Sequence, residues 1–294
     1  MSGTPRQPGL LSAWRFAVGM LTVFPVRAGT VDRAVAGRGM ALAPFAGMML
    51  GLVAAGVLIV ADGLSGSALL AAALAVGTLA WLTRGLHLDG LADLADGLGS
   101  RAPSQRALDI MKQSDIGPFG VVTLIFTLLV QIGSLAQIQT AAPPFTGALA
   151  LVVSCAAGRL AATWACRDGV PPARPDGLGA LVAGAVRRRQ AIAATAATAA
   201  VLALAALAIN SGARSVCPFT PDQWVAGLCE SIGAPASTSL ALGLALVLAP
   251  SAGLGAAALL RRRAVRRLGG ITGDVLGALV ETSATVTLLV WVLL

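Results

Sequence analysis

Three aspartates, Asp89, Asp93 and Asp96, stand in the segment Leu86-His87-Leu88-Asp89-Gly90-Leu91-Ala92-Asp93-Leu94-Ala95-Asp96-Gly97-Leu98. The 294-residue chain has only 13 acidic side chains, so their concentration here asks for a chemical reason. At about 100° per residue, the spacing i, i+4, i+7 sets all three on one helical face. Carboxylate oxygens so arranged are hard donors for a divalent cation. Mg²⁺ in particular takes a few carboxylates together with waters and substrate phosphate oxygens. Gly90 and Gly97 each follow an aspartate and remove bulk where a large substrate could approach the backbone. The competing reading is a solvated helix whose acids pair with Arg84, Arg101 and Arg106. The intervening Leu, Ala and Gly residues speak against it.

Basic side chains lie close by in sequence. Arg84, Arg101, Arg106 and Lys112 suit the phosphate oxygens that a metal does not hold; plain surface charge is the alternative for each. A second polar stretch is Gly269-Gly270-Ile271-Thr272-Gly273-Asp274, with Glu281 seven residues after Asp274. Gly270, Thr272 and Gly273 would offer backbone N–H groups at a helix start, a favourable place for phosphate. Asp274 and Glu281 fall on one face and join Asp89, Asp93 and Asp96 as candidate metal ligands. A glutamate inside an apolar segment is a functional candidate by default; pairing with Thr or Ser of neighbouring helices is the alternative. Arg159 lies within an apolar run, either snorkelling or pairing with the acids or a substrate phosphate. His87 is the only histidine, which excludes His-rich metal chemistry. Its ordinary pKa suits a proton acceptor, so the candidate catalytic set is His87, Asp89, Asp93 and Asp96, with no choice among them as base.

These residues must be positioned by membrane helices. The chain is 56% hydrophobic and 12% charged, with a mean hydropathy of +0.83, too apolar for a soluble domain of this length. Runs long enough for about 30 Å of hydrocarbon, roughly 20 residues each, occur near 39–61, 66–83, 118–138, 145–166, 190–209, 239–260 and 275–294. The expectation is an all-α polytopic bundle of about seven transmembrane helices forming one membrane-embedded domain over 1–294. The shorter segment Leu10–Pro25 adds an interfacial or re-entrant helix. All but Arg214 of the 21 basic residues fall on one side of that topology, a positive-inside pattern. It places the N-terminus and the acidic cluster in the cytoplasm and the C-terminus outside, in what would be a bacterial inner membrane. The net charge of +8 is thus accounted for by topology and anionic headgroups. No basic–aromatic interleaving accompanies it, and nucleic acid is not an expected partner. Gly47 and Gly51 form a small-xxx-small pair suited to close helix packing. Cys155 and Cys166 fall in an apolar run and read as packing residues, whereas Cys217 and Cys229 share the outer loop 210–238, where a disulfide is plausible.

Taken together, the motifs resemble a known family. His87-Leu88-Asp89-Gly90-Leu91-Ala92-Asp93 with Asp96-Gly97, then Ile110-Met111-Lys112, Ile116-Gly117 and Phe119-Gly120, resemble the cobalamin synthases, which are adenosylcobinamide-GDP ribazoletransferases. The likeness extends to Arg38-Gly39 with Pro44-Phe45 and Gly47, to Gly158 beside Arg159, and to Gly269–Asp274 with Gly277-Ala278 and Glu281. It spans nearly the whole chain in order. The resemblance implies a Mg²⁺-dependent membrane transferase that joins α-ribazole, or its 5′-phosphate, to adenosylcobinamide-GDP and releases GMP. The partners implied are the corrinoid nucleotide, the ribazole and the lipid bilayer, and a homo-oligomer is compatible. Two positions depart from the family pattern: Gln113, where an Asp is common, and Ala284, where a second Glu is frequent.

Two rivals make different predictions. A CDP-alcohol phosphotransferase also uses an Asp cluster to displace a nucleoside monophosphate, but its further Asp pair after a Gly and an Ala-Arg pair is not found here. A cation-coupled transporter would place acids near the bilayer midplane and often shows repeat symmetry. Here the acids gather toward one membrane face and no repeat is evident.

Overall fold

A computed structural model describes residues 9–26, 29–141, 144–216 and 236–294. These form α1 (Leu10–Leu21), α2 (Arg33–Ser65), α3 (Ala68–Leu82), α4 (Leu86–Gly99), α5 (Ser104–Ile110), α6 (Pro118–Ala141), α7 (Pro144–Ala165), α8 (Gly177–Val182), α9 (Arg188–Val216), α10 (Ala236–Leu268) and α11 (Gly273–Leu293). Six of them, α2, α6, α7, α9, α10 and α11, are long and apolar enough to cross a bilayer. The pair α3–α4 is a seventh candidate, bent by 87°. The protein is therefore a polytopic all-α membrane protein. All seven apolar runs of the sequence fall on these helices.

The bend makes that pair a broken span or a re-entrant segment. Thr83 closes α3, and Arg84 and Gly85 then adopt φ of 54° and 67°. The amide of Gly85 reaches back to the carbonyl of Ala80, and that of Arg84 to Trp81. This is the Schellman pattern, which satisfies the last free carbonyls of α3. Glycine takes the left-handed region without penalty, whereas Arg84 pays a strain of about 1 kcal/mol. The turn sets α4 at 87° to α3.

Close backbone approach, rather than bulky interdigitation, holds the spans together, as expected where lipid is as apolar as leucine. A Cβ at Gly47 would stand 2.4 Å from the carbonyl oxygen of Cys155, and one at Gly51 2.8 Å from Cα of Val152, so α2 lies directly on α7. Gly158 brings α7 onto Val280 of α11, and Gly253 brings α10 onto Ser283. The span at α7 is thereby the most enclosed. Large apolar side chains on α6, α9 and α10, among them Phe126, Leu129, Leu204 and Val247, are exposed as a lipid-facing belt. The N-terminal helix α1 packs Phe16 and Ala13 against Gly39 of α2 and leaves Leu10 and Leu11 outward.

One stretch departs from expectation. Between the apolar runs, 84–117 holds α4 and α5, and 167–189 holds α8. The outer loop is shorter than 210–238, because α9 continues to Val216 and α10 begins at Ala236. Polar residues such as Asn210 and Ser211 mark where the apolar run stops, and a helix can continue past that point. Cys155 and Cys166 are buried free thiols; Cys217 and Cys229 lie outside the described residues.

Candidate active site

Two reciprocal glycine contacts bring α4 against α11. A Cβ at Gly90 would stand 2.8 Å from both Cα and the carbonyl oxygen of Asp274, and one at Gly277 would stand 3.1 Å from Cα of His87. The crossing sets Asp89 and Asp93 beside Asp274. Asp89 is exposed, and Asp93 and Asp274 are partly buried. Asp93 stands in the fields of Asp89, Asp274 and Asp96, with the charge of Arg174 opposing them. Like charges held this close favour a proton or a cation among them. Among the described residues no three His, Cys, Asp or Glu side chains form a ready cage for a metal. Mg²⁺ does not require one, since one or two carboxylates suffice when substrate phosphates complete the shell. The hard oxygens of Asp89, Asp93 and Asp274, at a backbone contact that admits no Cβ, fit such an ion.

Asp96 is on the predicted face but is turned to another task. One of its oxygens accepts from the amide of Gly117 at 2.8 Å and the other from Gly120 at 3.0 Å. A Cβ at either glycine would collide with the carboxylate. The arrangement is an anion at a helix N-terminus, and it ties the start of α6 to α4. Asp96, expected as a third ligand, anchors the start of α6 in this arrangement.

His87 and Asp89 are two residues apart, so about 200° separates them around α4. His87 is accordingly buried, with Nδ1 3.3 Å from Nη2 of Arg159. The ring faces Arg159, on the other side of α4 from the exposed Asp89, which was expected beside it in the candidate catalytic set. Arg159 is 3% exposed and lines an enclosed cavity of about 30 Å³ with Glu281, Gln131, Ser154 and Thr83. It neither snorkels nor reaches the aspartates. Glu281, expected as a candidate metal ligand, lines that cavity: its Oε2 accepts from Nε2 of Gln131 at 2.8 Å, and the same amide reaches Thr285. One turn separates Asp274 from Gly277 and another Gly277 from Glu281, so the two acids share a face at different depths.

The glycine stretch before α11 also has a different use. Gly270 is pressed against the backbone of Pro171, Pro172 and Ala173. Ile271 donates its amide to Pro171 and accepts from Ala173, forming a short parallel bridge between Pro172 and Ile271. Gly270, expected to offer a backbone N–H to phosphate, is placed here in close backbone packing. Thr272 caps α11 by accepting from the amide of Val275 and donates to Oδ2 of Asp274, which aims that carboxylate. Gly273 has open room beside Leu178. Arg84, Arg101, Arg106 and Lys112 are exposed, and none is hydrogen-bonded to the acidic cluster among the described residues.

Sequence reasoning missed Arg174. The bridged strip 171–173 carries it to the acids, where its charge acts on both Asp93 and Asp274. Nη2 donates to the carbonyl of Leu108, and Nε is buried with no partner. The available cue was a lone arginine between Pro171-Pro172-Ala173 and Pro175, where prolines stiffen the loop. The site combines three carboxylates with a guanidinium at the end of a membrane bundle. That set can hold a divalent cation and a phosphate ester together.

Residues 13–292 match the family model described as cobalamin-5-phosphate synthase. A relative from Frankia casuarinae, named adenosylcobinamide-GDP ribazoletransferase, is 45% identical over 94% of this chain and 92% of its own. Relatives of the same name from a Nocardioides species and from Bradyrhizobium diazoefficiens are each 37% identical, covering 95% and 98% of this chain and 97% and 96% of their own. No solved structure matches the chain.

Proposed function

The chain belongs to the cobalamin-5-phosphate synthase family, and on that premise we propose that its chemistry takes place where α4, the strip 171–174 and the start of α11 meet. The function is that of an adenosylcobinamide-GDP ribazoletransferase. The adenosylcobinamide phosphate moiety passes to α-ribazole or its 5′-phosphate, GMP leaves, and the lower nucleotide loop is complete.

The observation that carries the placement is the contact of Gly90 with Asp274, which sets Asp89, Asp93 and Asp274 in one another's field. A ribose hydroxyl attacks the cobinamide-side phosphorus of the pyrophosphate, and the phosphoanhydride bond to GMP breaks. Asp89, Asp93 and Asp274 would hold Mg²⁺. When bound, the ion neutralises pyrophosphate charge and stabilises the leaving phosphate. Arg174 takes a non-bridging phosphate oxygen with its unpartnered Nε edge, a preorganised donor where charge develops. Asp89 or Asp93 accepts the hydroxyl proton; His87, on the far side of α4, does not. Arg84, at the strained turn into α4, and Arg101, Arg106 and Lys112 supply a positive approach for the anionic substrate. The charge asymmetry of the connections supports a cytoplasmic site.

The test is direct. Purified protein given adenosylcobinamide-GDP, α-ribazole and Mg²⁺ should release GMP, and Asp93→Ala should not. Equal release from both would overturn the placement of the site.

A further inference from the structure

A second basic feature lies outside this site. A concavity of about 290 Å³ opens between the connection after α7 and the last turns of α10. Arg261, Arg262 and Arg266 line it with apolar Val170, Pro171 and Val265. The charges of Arg167 and Arg262 act on Arg261, so four guanidinium groups share the neighbourhood. No acidic side chain lines the groove among the described residues. Arg261 is held by a 2.9 Å bond from Nη1 to the carbonyl of Trp164, while Arg262 and Arg266 are exposed. An assembled cationic groove without a counter-charge is built for an anion.

Its depth tells which anion. The 33 residues of α10 span about 50 Å, against about 30 Å of hydrocarbon. The apolar run ends at Leu260, and the arginines follow at once. They therefore stand at the headgroup level, with Val170 and Val265 offering an apolar margin for the start of acyl chains. Guanidinium groups recognise phosphate diesters with paired, directional hydrogen bonds. We propose that this groove binds the phosphate headgroup of an anionic phospholipid from the surrounding membrane. Pro171, on the groove wall, is bonded to Ile271, so an occupant braces the strip that carries Arg174.

The test uses purified protein in a neutral detergent and follows thermal unfolding. Phosphatidylglycerol should raise the unfolding temperature; phosphatidylcholine and inorganic phosphate at equal concentration should not. In R262Q/R266Q the phosphatidylglycerol needed for half the shift should rise about thirtyfold, from about 1 kcal/mol per basic residue near an anionic surface. R262K/R266K should remain within a few-fold of the parent. An equal response of parent and R262Q/R266Q overturns the proposal. So does equal protection by inorganic phosphate, which would mark a free-anion site. A raised KM for α-ribazole 5′-phosphate in R262Q/R266Q with an unchanged lipid shift would make the groove a substrate subsite and overturn it as well.

Discussion

Gly90 and Asp274 meet backbone to backbone, at a distance that leaves no space for a methyl group. Gly90→Ala should push α4 off α11 and separate Asp89 and Asp93 from Asp274. Overpacking of this kind costs about 1–3 kcal/mol, and a shift near 1 Å at a reacting centre costs on the order of 100-fold in rate. GMP release should fall by that order while the protein still folds. Gly56→Ala, with open space around it, is the control and should leave the rate unchanged. Equal rates for the two variants would mean that the crossing does not set the chemistry.

Asp93 stands among like charges. Asp93→Asn removes one charge from the group it forms with Asp89, Asp274 and Asp96, and like charges held together oppose folding. At neutral pH the variant should unfold at a higher temperature than the parent and be inactive. Added Mg²⁺ should narrow the gap by raising the parent alone. An equal or lower unfolding temperature for the variant would contradict the crowding of carboxylates.

Asp96 and Asp89 share a helical face but should behave differently. Asp96→Asn leaves one of the amides of Gly117 and Gly120 without an acceptor, a cost of about 1–3 kcal/mol. Its Mg²⁺ requirement should be unchanged. Asp89 is exposed, and Asp89→Asn should stay within about 0.5 kcal/mol of the parent. The Mg²⁺ concentration for half-maximal GMP release should rise on the order of tenfold or more. Denaturant unfolding and a Mg²⁺ titration of each variant separate the roles.

Arg174 should be needed for transfer. Arg174→Ala should lower kcat/KM on the order of 100-fold, the usual loss for one preorganised donor. Arg174→Lys should recover only part, because an ammonium cannot serve Leu108 and a phosphate through one planar fork. An unchanged kcat/KM in Arg174→Ala would place Arg174 farther from the acids than its field on Asp93 and Asp274 implies.

What could be read in the chain follows from how far each interaction reaches. The spans at 118–138 and 275–294 and the face shared by Asp89 and Asp93 follow from local periodicity. Asp274 was visible because it opens an apolar run. The partners of Asp96 lie 21 and 24 residues away, and those of Glu281 on α6 lie 150 away; no local pattern carries such pairings. Arg159 and His87 are 72 residues apart and looked like two free reagents. Arg174 sits in a stretch with no periodicity, and only a two-bond bridge to Ile271 delivers it. The packing of Gly270 against 171–173 was not legible, because glycines before a helix serve phosphate and close packing equally well.

The cavity shared by Arg159, Glu281 and Gln131 has a use that its small volume conceals. Leucine against leucine in a bilayer barely distinguishes one helix height from the next. A polar layer does: α7 contributes Arg159, α6 contributes Gln131, α11 contributes Glu281, and α4 adds His87 from above. Sliding α7 or α11 by one turn would leave a charge facing hydrocarbon, and sliding α6 would leave an unpaired amide, each at a cost of several kcal/mol. The layer thus sets the axial register of the bundle, and the aspartates above inherit their common level from it.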